Sequence, residues 1–444
     1  MATRRQAATE TAATRTAATR AAGAGAAVWS AARMAHAAGD DAVRIALIGC
    51  GNRGTGACRE ALLTQQGPVR LVAVGDLFAD RIERSLGNLT KYPELKANID
   101  VPPERRFAGF DAIDKVLAAD VDLVLLATPP HFRPMHYAAA VAAGKHVFME
   151  KPLCVDAPGY RQLAAANAEA RKKKLSVVVG LQRRHQQNYL EGIAKIHQGA
   201  IGKVQLIRTY FNMPGGGRAG TPKPPEMSEM EYQIRFWGIF TWLCGDHLVE
   251  QATHEIDVAN WVMQGHPVRA QGMGGREVRK GPGNGDIWDH HCVEFEYADG
   301  TRHFCQARQQ PGTWTHVSDN VLGDRGEMTI GTGAWGYGTL SPRELRDKNR
   351  KVDNPYQREH EDLMQSIRGT GPYRCEGDYG AESSMTAVMG RMATYSGQMV
   401  TWDEAIRSET RLGPKEYSFD AAPPVRAAAD GSYASAVPGI TPPY

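Results

Sequence analysis

The sequence lacks three things that would have set its class at once. It has no C-x-x-C pair, no long apolar run and no excess of either charge. Its seven cysteines, Cys50, Cys58, Cys154, Cys244, Cys292, Cys305 and Cys375, stand singly and far apart. That spacing excludes a cysteine-built zinc site or a thioredoxin-type motif and fits buried free thiols. No apolar stretch is long enough to span a bilayer, so no membrane partner is expected. Lysine and arginine number 52 against 49 acids, interleaved to a net charge of +3, which gives no polybasic surface for nucleic acid. What is present is an ordinary globular composition over 444 residues, too long for one core and suited to two domains.

The first 38 residues stand apart. Arg4-Arg5 open a polar stretch, Ala21 to Ala32 is uncharged and alanine-rich, and Ala35-His36-Ala37 fits an A-x-A cleavage site. One reading is a twin-arginine signal that exports the protein to the periplasm. The other is a disordered Ala/Thr/Arg tail on a cytoplasmic protein; Arg15 and Arg20 lengthen the charged region unusually for a signal.

From residue 39 to 155 the pattern alternates strand and helix. Val43 to Ile48, Val69 to Val74, Val121 to Ala127 and His146 to Met149 read as strands, and Val177 to Val179 as another. Met135 to Ala143 and Tyr160 to Arg171 read as helices. Alternation of this kind predicts a parallel, doubly wound α/β sheet. After Lys203 the texture changes. Val204 to Phe211 and Val293 to Tyr297 read as strands, Asp299-Gly300 as a hairpin turn into Arg302 to Arg308, and Gly323 to Gly326 as a second hairpin. A helical stretch from His247 to Met263 is inserted, and Gln357 to Arg368 and Glu382 to Gly397 read as further helices. Residues 156–420 are therefore expected as an α+β domain with a mostly antiparallel sheet, and 421–444 as an extended tail. An open sheet covered on one side leaves a face for self-association, so a homo-oligomer, dimer or tetramer, is expected.

Gly49-Cys50-Gly51-Asn52-Arg53-Gly54 follows the first strand directly and opens a helix. This is G-x-G-x-x-G in the context that phosphate binding needs. Gly49 permits the tight turn, Gly51 lets the backbone approach a pyrophosphate, and Gly54 lets the helix pack on the sheet. Asn52 and Arg53 sit at the helix start and are expected to contact the cofactor. Asp76 ends the second strand about 20 residues on, where a carboxylate binds the adenosine ribose hydroxyls. Leu77-Phe78 supply no cation for a 2′-phosphate, which favours NAD over NADP. Ala127-Thr128-Pro129-Pro130-His131 leaves the fourth strand at the ligand-facing edge. Thr128 and Pro129 are expected to line the cofactor, with His131 near the nicotinamide end.

Gly144-Lys145-His146-Val147-Phe148-Met149-Glu150-Lys151-Pro152-Leu153 resembles the G-K-H-V-x-x-E-K-P segment of the Gfo/Idh/MocA oxidoreductases. With the glycine motif and the A-T-P-P stretch in the same order, the resemblance runs from Val43 to Trp402. It implies an N-terminal Rossmann domain, a C-terminal domain with a large open sheet, NAD held tightly, and a sugar, polyol or glycoside as substrate. It places the family's catalytic lysine at Lys151 and Glu150 beside it at the cofactor. The family's acid four residues before a histidine falls at Glu250 and His254; family members often carry aspartate at the first position. Histidine suits proton abstraction, and an ammonium suits a developing alkoxide. Both fall within the helix expected from His247 to Met263, one turn apart on one face.

Substrate contacts are expected from Arg183 and Arg184 after the last parallel strand, from Tyr232, Arg235 and Trp237 before the catalytic helix, and from Trp288 and His290 before the hairpin. The chemistry implied is hydride transfer from a sugar ring carbon, C3 in the first instance, to NAD. The same step opens a redox-neutral glycosidase cycle. Two competing classes remain: a metal-dependent hydrolase using Glu250, His247, His254 and His290, and a non-catalytic NAD sensor. No metal is assigned.

Overall fold

A computed structural model describes residues 41–215, 220–331, 341 and 354–443. The export or tail segment expected in residues 1–38 lies outside the described residues.

The inner strands of the first sheet have almost no polar surface to offer water. β1 (Val43–Ile48), β2 (Val69–Asp76), β3 (Arg106–Ala108), β4 (Leu123–Leu126), β5 (His146–Met149) and β6 (Val177–Val179) run parallel in the order β3-β2-β1-β4-β5-β6. All four residues of β4 and all three of β6 are buried, as strands covered on both faces must be. Helices α1 (Asn52–Leu62), α2 (Ala79–Leu89), α3 (Ala112–Ala118), α4 (Arg133–Ala142) and α5 (Ala157–Lys172) make the crossovers. The strand order reverses at β1, which pairs with β2 on one side and β4 on the other. A crevice opens beyond the carboxyl ends of strands at such a point. β6 belongs to this sheet, so the parallel domain runs past the boundary expected at residue 155.

The chain then continues through α6 (Gln187–His197), β7 (Val204–Met213), α7 (Glu229–Arg235), α8 (Thr241–Cys244), α9 (His247–Glu250) and α10 (Thr253–Met263). It goes on through β8 (Arg269–Gly275), β9 (His290–Glu296), β10 (Arg302–Gln309), β11 (His316–Gly323) and β12 (Glu327–Ile330). α11 (Pro355–Arg368), α12 (Gly377–Ser396), β13 (Val400–Thr401) and α13 (Trp402–Arg407) follow. The second sheet has the order β12-β11-β7-β10-β9-β8-β13 and is antiparallel except for the parallel pair β7–β10. Along β9 every second residue is buried, His291, Val293 and Phe295, which is the period of a sheet with one covered face. α12 covers that face; Met385, Val388, Met389 and Met392 pack with Val293 and Phe295. Both expected hairpins are present, at Asp299-Gly300, where Tyr297 N–H donates to Thr301 O, and between Gly323 and Gly326.

Two expectations are corrected. The helix foreseen from His247 to Met263 is broken: α9 ends at Glu250, and Gln251 and Ala252 separate it from α10. Glu250 and His254 therefore belong to different helices. The helix foreseen from Glu382 begins five residues earlier, at Gly377. α11 returns to the first sheet, where Leu363 and Met364 join the core formed by Leu47, Leu71 and Leu125.

Candidate active site

The glycine loop is shaped by what surrounds it. Gly49 has φ +96°, and a Cβ there would lie 2.5 Å from Thr128 N. A Cβ at Gly54 would collide with Gly49 O, so helix α1 can approach the loop only with glycine at that position. Around Gly51 nothing lies within 4 Å of the corresponding point, which leaves room for a phosphate. Gly51 is also the N-cap of α1 and offers no side chain to its first N–H groups. Those donors and the helix dipole fit a pyrophosphate. Asn52 is exposed at the first turn.

Asp76 ends β2 and fixes this loop. Its Oδ2 accepts from Cys50 N (2.6 Å) and its Oδ1 from Phe78 N (2.9 Å). Burial pushes its pKa up, against the pull of those two backbone donors. A cleft runs from Asp76 past Gly49 and Gly51 to Thr128, Pro129 and Trp237. Arg81, one turn into α2, lines it too. Leu77 and Phe78 supply no cation next to Asp76, but the first turn of α2 brings one back from five positions further along the chain.

His131 was expected at the nicotinamide end. It is buried outside the cleft lining, its Nε2 2.8 Å from Tyr417 Oη and its ring edge-on to Trp242. Burial holds its pKa down at about 4, so it is neutral. His136 lines the cleft instead, its Nδ1 3.2 Å from the Thr128 hydroxyl. Arg53 and Glu150, both expected at the cofactor, are committed to each other: Arg53 Nε lies 2.9 Å from Glu150 Oε1, and Arg53 Nη2 pairs with Glu60.

Lys151 meets Glu250 at the carboxyl edge of the sheet. Its Nζ donates to Glu250 Oε1 (3.0 Å) and to the Glu250 carbonyl. The break after α9 makes this possible, since a continuous helix would tie up that carbonyl. The longer side chain of glutamate thus serves as the lysine's partner. His254 stands one residue into α10 with its Nδ1 buried and without a hydrogen-bond partner. Burial holds its pKa well below the ordinary value, and the charges of Lys151 and Arg183 add to the effect. The ring is neutral and can accept a proton. Arg133 was not foreseen. It is fully buried, and it donates to Thr128 O (2.5 Å) and Pro152 O (3.0 Å), joining the cofactor loop to the lysine loop.

Most of the expected substrate residues are engaged with partners in the fold. Arg183 is buried in ion pairs with Glu255 and Asp319 (3.1 Å to the latter). Arg184 pairs with Asp257 (2.8 Å) between Tyr379 and Trp261. Tyr232 is buried and donates to Thr221 O (2.7 Å). Arg235 pairs with Asp80 and Glu231 over the Phe78 ring. Trp288 is buried and donates to Ala436 O (3.2 Å). His290 sits against Asp289 (2.8 Å). Trp237 does line a cleft, the dinucleotide cleft. Charged side chains in a strand-to-helix turn are as useful for tying layers together as for binding ligand, and sequence does not separate the two uses. The same cleft has a cover that sequence did not foresee. Tyr417 lines it, and Phe419 stacks on Phe78 with ring centres 5.8 Å apart.

Residues 43–181 match the oxidoreductase family with an NAD-binding Rossmann fold, GFO_IDH_MocA, and residues 193–329 match the C-terminal domain of the same family. The chain belongs to the GFO/IDH/MocA oxidoreductases, and its first domain is an NAD-binding domain. It is 29% identical over 260 residues to an inositol 2-dehydrogenase of Serratia proteamaculans, covering 59% of this chain and 65%, less than two thirds, of that enzyme. It is 26% identical to inositol 2-dehydrogenase 3 of Saccharopolyspora erythraea over 81% of this chain and 95% of that one. Its fold is similar to an aldose-aldose oxidoreductase from Caulobacter crescentus (TM-score 0.62, 18% identity, 81% and 99% of the two chains). It is also similar to scyllo-inositol dehydrogenase from Lactobacillus casei with NAD(H) and scyllo-inositol bound (TM-score 0.60, 19% identity, 83% and 100%).

Proposed function

We propose that this protein oxidises a ring hydroxyl of a sugar or polyol, with C3 as the position attacked on a sugar. The observation that carries this reading is the Lys151 ammonium held by Glu250 at the carboxyl edge of an NAD-binding sheet, with His254, half-buried and neutral, close enough to feel the lysine's charge. NAD supplies the hydride acceptor at that edge and, in a redox-neutral cycle, the donor that restores the oxidised carbon. The glycine loop and Asp76 hold its pyrophosphate and ribose. His254 takes the hydroxyl proton. Lys151 stabilises the oxygen as it gains negative charge, and Glu250 keeps the ammonium in place.

We further propose that the cofactor is retained and that the net reaction is glycoside cleavage. A 3-keto sugar has an acidic C2–H, and loss of that proton expels the C1 substituent as the leaving alcohol takes up a proton. Water then adds at C1 while a solvent proton returns to C2, and return of the hydride to C3 completes the hydrolysis. Tyr417 and Phe419 support retention, because ring stacks across a cleft slow the exit of what lies beneath. An export signal in residues 1–38 would make retention necessary, since an exported enzyme has no supply of free NAD. The test is turnover of aryl glycosides in deuterated water without added cofactor. Deuterium at C2 of the released sugar is expected. Unlabelled product formed only with stoichiometric NAD would leave a plain dehydrogenase.

The hydrolase reading loses its ligand set. Glu250 is engaged by Lys151 and His290 by Asp289. A sensor would require neither the lysine contact nor a neutral imidazole beside it.

A further inference from the structure

Asp246, His247 and His291 meet in the interior, exposed by 0%, 2% and 2%. One donor atom from each lies within 4.8 Å of the others. Asp246 and His247 begin the α9 turn, and His291 comes from β9 of the second sheet. Two features distinguish the group from a closed hydrogen-bond network. His291 uses Nδ1 with the Thr394 hydroxyl (3.0 Å), while its Nε2 has no hydrogen-bond partner. That Nε2 nevertheless lies 3.3 Å from Asp246 Oδ2. Two ligands about 2.0–2.1 Å from a tetrahedral ion stand about 3.3–3.4 Å apart. His247 Nε2 is also buried and unpartnered, its Nδ1 being 2.7 Å from Asp246 Oδ1. An ionised carboxylate sealed from water needs a cation beside it. Among the described residues, no lysine or arginine forms an ion pair with Asp246; its ion-pair partners are the two imidazoles. Its other donors, the backbone N–H groups of His247 and Trp288 and the Tyr395 hydroxyl, carry no charge.

We propose that Asp246, His247 and His291 hold a divalent first-row transition ion, zinc in the first instance. Two neutral imidazoles and a carboxylate are a donor set for such ions. The Tyr395 hydroxyl and Trp288 N–H donate to Asp246 Oδ2 and orient the carboxylate as outer partners do. The ion ties the head of α9 to the sheet, and Glu250 at the foot of α9 holds Lys151. Its role is structural, and the site stands whether or not the glycosidase reading does.

The test uses the full-length protein with its cofactor. Metal analysis after dialysis is expected to find one zinc-class ion per chain. After exchange, cobalt(II) should give strong visible ligand-field bands. His247→Gln and His291→Gln, checked for folding by circular dichroism, should lose those bands, while His290→Gln should keep them. Wild-type protein without bound ion and without cobalt bands overturns the proposal, whatever the variants do. So do bands that persist in both folded variants.

Discussion

A lysine ammonium at a hydroxyl-oxidising site has to be aimed, and at Lys151 a carboxylate and a carbonyl of the same residue, Glu250, do the aiming. Lys151→Met and His254→Gln are each expected to lower turnover at least about a hundredfold, the low end for a charge stabiliser or general base. NAD affinity, measured by calorimetry, should change little in either. Near-normal turnover would remove that residue from the chemistry. Because burial and nearby positive charge hold the His254 pKa well down, the ring stays neutral into mild acid. The acid limb of kcat/KM is then expected below the ordinary histidine value of about 6.5. A limb at or above that value would mean another group is the base. At this scale the sequence was informative where one residue type has one use. Gly49, Gly51, Gly54 and Asp76 stand where the loop requires them. It was uninformative about arginines: Arg183 and Arg184 bind carboxylates of the fold, while Arg133 joins two loops. Only the three-dimensional position of the partner decides which.

At the scale of elements, continuous apolar strands were legible to within two or three residues, because burial on both faces permits no other composition. The break between α9 and α10 was not, since Gln251 and Ala252 are good helix formers. The contacts made there come from distant residues, Lys151 to the Glu250 carbonyl and Gln309 to the Gln251 side chain. Contacts between distant elements were equally hidden. His185, after β6, lies 2.8 Å from Asp362 of α11 and 3.6 Å from Glu376 at the head of α12. Burial alone would lower its pKa, but the two carboxylates outweigh that and raise it to about 9. A pKa raised on folding contributes stability that is full below the unfolded value of about 6.5 and is lost as pH rises through the folded one. The melting temperature is therefore expected to fall between those two pH values, and His185→Gln should flatten the fall. An unchanged slope in the variant would assign it to other groups. The Tyr417 and Phe419 cover makes a separate claim. Tyr417→Ala with Phe419→Ala should speed NAD release severalfold in a dilution assay, with the redox chemistry intact when NAD is added.

For the whole molecule, the second sheet is covered on one face and open on the other. Met273 of β8 is 75% exposed, and Phe304 of β10 and Leu322 of β11, each separated from the one before by an intervening strand of the sheet, are exposed as well. We propose that a second copy of the chain covers this face; a monomer by light scattering at micromolar concentration would contradict it. The central claim is that NAD held by this chain oxidises a carbohydrate carbon under the control of Lys151 and His254. The most direct measurement is stopped-flow absorbance of reduced nicotinamide when NAD-loaded protein meets a panel of sugars, inositols and glycosides. At least one member is expected to produce a rapid rise, slowed when deuterium replaces hydrogen at the oxidised carbon and abolished in Lys151→Met. A protein that binds NAD tightly yet shows no nicotinamide reduction with any of them would contradict it.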